Sequence, residues 1–251
     1  MTMLTPENRV LVTGANSGIG MAVALLCNQM GATVIASGRD MPRLQNLKNS
    51  CAHQESLHIE PRDLQEDMDS LPQWVAGLRQ KYGKLTALVC CAGYAAVMPL
   101  RAYDRNAAAS LYDIHVHAPL LLARGFADKR NNMGQGSSII FLSSAAALAK
   151  EAGLAAYGGA KAAIQAATIS LSRELAPQGI RINAVAPAMV RTPMSEQYFA
   201  MLSPDARDQT LAAYPLGIGT PEDVAQTIVF LLSDSGKWIT GQTVVMDGGR
   251  Y

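Results

Sequence analysis

Tyr157 and Lys161 stand four residues apart in YGGAK, so on a helix they share a face. A phenol beside an ammonium is a proton donor of adjustable strength. The unperturbed tyrosine pKa is about 10, and a cation about 4 Å away is worth up to roughly 4 kcal/mol at an effective dielectric of 20, about three pKa units. Reduction of a carbonyl needs such a donor, because a hydride arriving at carbon leaves an oxygen that must take a proton. Ser144, just after the apolar run IIFL, is placed to hold and polarise that oxygen by a hydrogen bond. In the same arrangement the lysine reaches the ribose of a nicotinamide cofactor, tying the proton donor to the hydride donor.

A Tyr/Lys pair at this spacing also arises by chance, and it gains weight from a second pattern. The first apolar run ends in TGANSGIG, with Gly14, Gly18 and Gly20 leading into MAVALLCNQM, which Gly31 stops. Glycines there let the backbone approach a pyrophosphate, and a helix N-terminus adds free N–H groups and positive dipole. Gly14, Asn16, Ser17, Gly18, Ile19 and Gly20 are the residues this assigns to a dinucleotide, although the spacing GxxxGxG differs from GxGxxG. The next strand ends in ASGRD. Arg39 is placed to pair with a ribose 2′-phosphate, while Asp40 could accept from a free 2′-hydroxyl, so NADP(H) is favoured over NAD(H). The plain alternative for Arg39 is an exposed loop charge.

These groups need a scaffold, and short β-branched runs alternating with helical patterns supply one. Strands are expected near Val10 to Thr13, Thr33 to Ala36, Leu57 to Ile59, Ala87 to Cys90, Ile139 to Leu142, Ile180 to Val185 and Thr243 to Val245. Apolar strands separated by helices imply an α/β fold: a Rossmann-type, doubly wound parallel sheet of seven strands with helices on both faces. Ser70 ahead of LPQWVAGLRQKYG is the expected N-cap of one helix, with Gly83 its stop. Two helices, about Ala107 to Ala123 and about Ala155 to Ala176, carry almost no charge. A helix without a polar stripe is buried all round, so these are expected to pack on the sheet and on a second subunit, or else to be ordinary core helices. The low charged fraction, 16%, also points to a homo-oligomer.

Composition excludes other classes. A net charge of +1 argues against electrostatic nucleic-acid binding. The four cysteines fall in no metal-binding or disulfide spacing, so no metal is expected and a reduced, cytoplasmic setting fits best. The N-terminal stretch lacks the features of a signal peptide. The longest uncharged apolar stretch, Leu85 to Leu100, contains Gly93 and Pro99 and is too short to span a membrane, so a soluble protein is expected.

Together these motifs resemble the short-chain dehydrogenases/reductases over almost the whole chain, with a general pattern similar to 3-oxoacyl-acyl-carrier-protein reductases. The resemblance implies a single domain, 1–251, with a lid over the substrate at about 193–215. It implies that Asp63, with Leu64, contacts adenine; that Cys91, Ala92 and Gly93 lie along the cofactor; and that Pro187, Val190 and Thr192 of PAMVRT hold the nicotinamide end. Ser144, Tyr157 and Lys161 match the family's catalytic residues. Three departures stand out. The family's NNAG is Cys90, Cys91, Ala92, Gly93, its PG is Pro187, Ala188, and its fourth catalytic residue, an Asn, is His115.

In the family that Asn holds a water joining the lysine to solvent. Pro119, four residues on, has no N–H to give the His115 carbonyl, so the carbonyl is expected to hold this water, with the imidazole a titratable partner. A packed, inert histidine is the alternative. In the lid, Met194, Tyr198, Phe199, Met201, Leu202 and Tyr214 could wall an apolar site. Sugar, polyol and steroid dehydrogenases share every one of these motifs. The expected function is NADP(H)-linked exchange between a carbonyl and a secondary alcohol, a 3-oxoacyl thioester being one candidate. A catalytically weak dinucleotide-binding regulator and a Rossmann-like methyltransferase are the readings from other classes.

Overall fold

The computed structural model describes residues 4–149 and 151–251. Seven parallel strands form one sheet in the order β3-β2-β1-β4-β5-β6-β7. They are β1 (Arg9–Thr13), β2 (Thr33–Ser37), β3 (Leu57–Ile59), β4 (Ala87–Cys90), β5 (Ser138–Leu142), β6 (Arg181–Pro187) and β7 (Thr243–Met246). The chain builds outward from β1 to β3, then returns to lay β4 against the other side of β1. Where the order reverses, the crossovers part and leave a crevice outside the strand C-termini, which is where the glycine loop and Ser144 lie.

Successive strand residues point to opposite faces, so each strand feeds two cores. On one face Val10, Val12, Val34 and Val185 meet α1 (Gly18–Gln29), α2 (Met41–Asn49) and α9 (Pro221–Leu232) through Val23, Leu44, Ile228 and Val229. On the other, Leu11, Ile35, Leu88 and Phe141 meet α3 (Leu71–Tyr82), α5 (Ala118–Ala127) and α6 (Ala155–Leu175) through Val75, Leu122, Phe126 and Ile164. Each such fully buried side chain contributes about 1.5–3 kcal/mol, which holds the strand ends, and so the site, in register.

Two local expectations are refined. Ser70 stands at the N-cap position of α3, with Pro72 in the first turn and Gly83 at the end, but its side chain makes no cap: it closes a helical turn, Met68–Ser70, and its hydroxyl donates to the Asp67 carbonyl at 2.8 Å. The expected helix over 107–123 is two helices, α4 (Arg105–Tyr112) and α5, joined by a π-helical turn, Asp113–His117, in which Ala118 N–H donates to the Asp113 carbonyl. Pro119, lacking an N–H, follows directly and accounts for the widened turn. The lid region holds α7 (Pro193–Ala200) and α8 (Pro204–Ala212). Among the described residues no helix is long and apolar enough to cross a membrane.

Candidate active site

The glycine loop is set by close approaches. Gly14 has φ 67°, and a Cβ there would lie 2.8 Å from the Ala92 backbone. A Cβ on Gly20 would lie 2.3 Å from the Gly14 carbonyl oxygen. Ser17 is the N-cap of α1 in extended conformation and makes no side-chain cap, so the first-turn N–H groups are left to another acceptor. Asn16 packs on Gly38, where a Cβ would meet its Oδ1 at 2.4 Å. Ile19 packs at the edge of the core.

Asn16, Arg39, Asp40, Met41, Pro42 and Arg43 line a cleft of about 640 Å³. Asp40 caps α2 through Arg43 N–H at 3.0 Å and pairs with the Arg43 guanidinium at 3.2 Å, so both its oxygens are engaged. Arg39, largely exposed, pairs with Asp63 at 3.3 Å. Arg43 was not foreseen. Its signal, an arginine four residues after Arg39 at the start of a helix, was present but masked by Pro42 between them. Asp63 also caps its own turn through Gln65 N–H at 2.9 Å. Leu64 packs at the core.

From Ala92 the chain passes to Gly93, against which His115 is packed: a Cβ on Gly93 would lie 2.2 Å from the imidazole Cε1. The His115 Nε2 lies 2.7 Å from the Tyr94 carbonyl oxygen, an acceptor that makes this nitrogen the protonated one. Tyr94, another residue not foreseen, is fixed by a hydrogen bond from its hydroxyl to Ser110 at 2.9 Å. The His115 Nδ1 is buried without a protein partner. Burial first, and the nearby Lys161 second, push the imidazole pKa down to about 3. The expected titratable partner is therefore a neutral ring, packed edge-on to Tyr157 with ring centroids 5.3 Å apart.

Tyr157 stands in the first turn of α6 with Ser144 at the end of β5 beside it. Burial raises the phenol above its usual pKa, and the Ser144 hydroxyl pulls it back down. The Lys161 Nζ is 5.7 Å from the Tyr157 ring centroid and donates to the Leu142 carbonyl at 2.6 Å. Burial pushes the ammonium pKa down to about 7, opposed by Cys91 and Cys90. Lys161 is not among the causes that shift the phenol, which burial raises and Ser144 lowers. Cys91 is itself pushed up to about 12 by burial and stays a neutral thiol near neutral pH.

The Ser144 hydroxyl lies 3.4 Å from the Pro187 carbonyl and accepts from Ala146 N–H at 3.2 Å. Ala188, where the family has glycine, keeps a negative φ and donates to Met246 O at 2.9 Å, so the substitution strains nothing. Val190 is buried and pairs with Gly219. Thr192 caps α7, and its Cγ2 lies 3.3 Å from where a Cβ on Gly18 would be. The predicted residues therefore form a continuous rim, from the glycine loop through Ala92, Gly93, His115, Tyr157, Ser144 and Pro187 to Thr192 and back to Gly18.

The family model described as Enoyl-(Acyl carrier protein) reductase matches residues 14–250. A 3-oxoacyl-acyl-carrier-protein reductase of Thermotoga maritima is 36% identical over 246 residues, 95% of this chain and 96% of its own. A short-chain dehydrogenase/reductase from Brucella melitensis, titled a glucose/ribitol dehydrogenase, superposes with a TM-score of 0.91 at 29% identity, covering 100% of this chain and 99% of its own. One from Burkholderia cenocepacia, solved in complex with NADP, superposes at 0.88 with 25% identity, covering 99% of each chain. The chain belongs to the short-chain dehydrogenase/reductase family, whose members bind NAD(P) and act as oxidoreductases on alcohol and carbonyl groups.

Proposed function

We propose that this chain interconverts a carbonyl compound and its secondary alcohol with NADP(H), Tyr157 giving and taking the proton. The observation that carries the proposal is the cluster of half-buried Tyr157 and Ser144 with buried Lys161 beyond the C-terminal end of β5, beside a glycine loop whose helix is uncapped. The residues fit a phosphorylated dinucleotide. The first-turn N–H groups of α1 suit a pyrophosphate, and Arg39 and Arg43 offer two guanidinium groups at the cleft while Asp40 is spent on α2. The resemblance adds Asp63 for adenine, Cys91, Ala92 and Gly93 along the cofactor, and Pro187, Val190 and Thr192 at the nicotinamide.

When bound, NADPH supplies the hydride. Ser144 holds the substrate oxygen and Tyr157 gives it the proton. Lys161, its Nζ 5.7 Å from the ring centroid, is the cation near the phenolate that forms while it remains an ammonium. His115 acts as a positioning residue: its Nε2 fixes the chain after Gly93 and its ring buttresses Tyr157. The apolar outer face of α6, where Ala166 and Ile169 are exposed, suits a second copy of the chain, and a cytoplasmic setting fits the four free cysteines.

The test is oxidation of NADPH, with NADH in parallel, over ketones, 3-oxoacyl thioesters and sugars. Turnover that falls at least about 100-fold in Ser144→Ala supports the proposal. Cofactor binding without turnover on any of these compounds favours the regulator instead.

A further inference from the structure

Three segments leave the sheet at the C-terminal ends of β4, β5 and β6 and frame the mouth of the Tyr157 crevice. Their sequences are YAAVMPL, SAAALA and MVRTPMSEQYFAML. These segments hold several large apolar residues in the open. Val97, Leu100, Leu148, Met194, Tyr198 and Met201 are between 38% and 88% exposed. Met194 and Tyr198, four apart on α7, share one face, while Ser195 and Phe199 turn inward.

The segments are held to one another and to the site. Met98 N–H donates to the Gly153 carbonyl at 2.7 Å, and Val97 Cγ1 lies 2.8 Å from where a Cβ on Gly153 would be. Thr192 seats α7 on the glycine loop. Ala96 and Tyr94 pack in one cluster with Tyr157. Several hydrogen-bonding side chains nearby are already committed: Asp104 caps α4, Thr192 and Ser195 form the capping box of α7, and Glu151 is shared by Arg250 and Tyr251.

A site built to choose a polyhydroxylated substrate matches each hydroxyl with a polar group, and discriminates through the cost of leaving those groups unpaired. An exposed apolar patch continuous with a crevice marks an apolar ligand instead. We infer that the substrate of this site is a ketone or 3-oxoacyl compound with an apolar tail, which lies across Val97, Leu148 and the Met194/Tyr198 face, and that polyols and sugars are excluded. The inference rests on the carbonyl-reduction reading and narrows it to a substrate class.

The test uses the full-length protein with NADPH and a series of methyl ketones from butanone to decan-2-one, beside polyhydroxylated ketones of similar length. Specificity, as kcat/KM, is expected to rise about two- to four-fold per methylene until the tail passes the mouth. Polyhydroxylated ketones are expected to lag by at least about 100-fold. Val97→Ser and Met194→Gln are expected to flatten the rise, whereas Met133→Gln, an exposed position ahead of β5 at the opposite end of the sheet, is expected to leave it intact.

The same ketones are also titrated as competitors of the neutral apolar dye Nile red, which requires no turnover. Displacement that strengthens with chain length, without reduction of any ketone, upholds the apolar surface while sinking the carbonyl-reduction reading. Length dependence in neither measurement, or preferred reduction of a polyhydroxylated ketone, overturns the inference.

Discussion

A histidine buried as a neutral ring makes the folded state sensitive to acid, and His115 offers a quantitative test of how it is held. Its pKa is pushed from 6.5 to about 3. The unfolded chain therefore binds a proton below about pH 6.5 that the folded chain refuses until about pH 3. Stability from this residue is complete above the upper value and is lost as pH falls toward the lower. Between about pH 7 and about pH 5 the loss is about 2 kcal/mol, from 1.36 kcal/mol per pKa unit.

The perturbation is His115→Asn, which removes the titration and keeps a hydrogen-bonding side chain. Urea unfolding of both proteins at the two pH values, at one protein concentration, gives a double difference in which the other titrating groups cancel. Acidification is expected to cost the parent about 2 kcal/mol more than the variant. Equal pH dependence would refute the buried, neutral imidazole, and with it the reason for denying His115 a proton-carrying role.

Other outcomes follow from the same geometry. Arg39→Ala is expected to weaken NADPH about ten-fold in an equilibrium titration, the low end for a charge-assisted contact because Arg39 is largely exposed, with NADH changed far less. Equal loss for both cofactors would remove the arginine from phosphate recognition. Because Lys161 has its pKa pushed down to about 7, its ammonium is present below that value and lost above it. Carbonyl reduction should fall as pH rises through about 7, and a rate flat from about pH 6 to about pH 9 would contradict the role of the cation. Gly14→Ala forces a side chain into a left-handed conformation and against Ala92; a loss of at least about 1–2 kcal/mol in urea unfolding, with weaker dinucleotide binding, is the expected result.

The sheet was legible because its strands are continuous apolar runs between helical patterns, and those runs alone place Val10–Val12 or Ile139–Leu142. The rim was legible where spacing carries the chemistry, as between Tyr157 and Lys161 or within TGANSGIG. Ser70 was legible as the N-cap position of α3, but its hydroxyl bonds back into the turn that Asp67 begins and not to the helix. The break at Asp113–His117 follows from a hydrogen bond that Pro119 cannot make, yet how the helix relaxes around it depends on packing against Gly93 and Tyr94. The protonation of His115, Tyr157 and Lys161 is set by burial, a tertiary quantity that no local pattern encodes. Arg43 was hidden for a similar reason: its place beside Arg39 depends on how α2 begins.

The proton donor is the centre of this account, and Tyr157→Phe tests it with the loss of one oxygen atom. NADPH affinity and single-turnover reduction of a ketone accepted by the parent protein should be measured on the same preparation. The account predicts a dissociation constant within about three-fold of the parent and a hydride-transfer rate reduced at least about 100-fold. A variant that binds NADPH and reduces the ketone at the parental rate would contradict it.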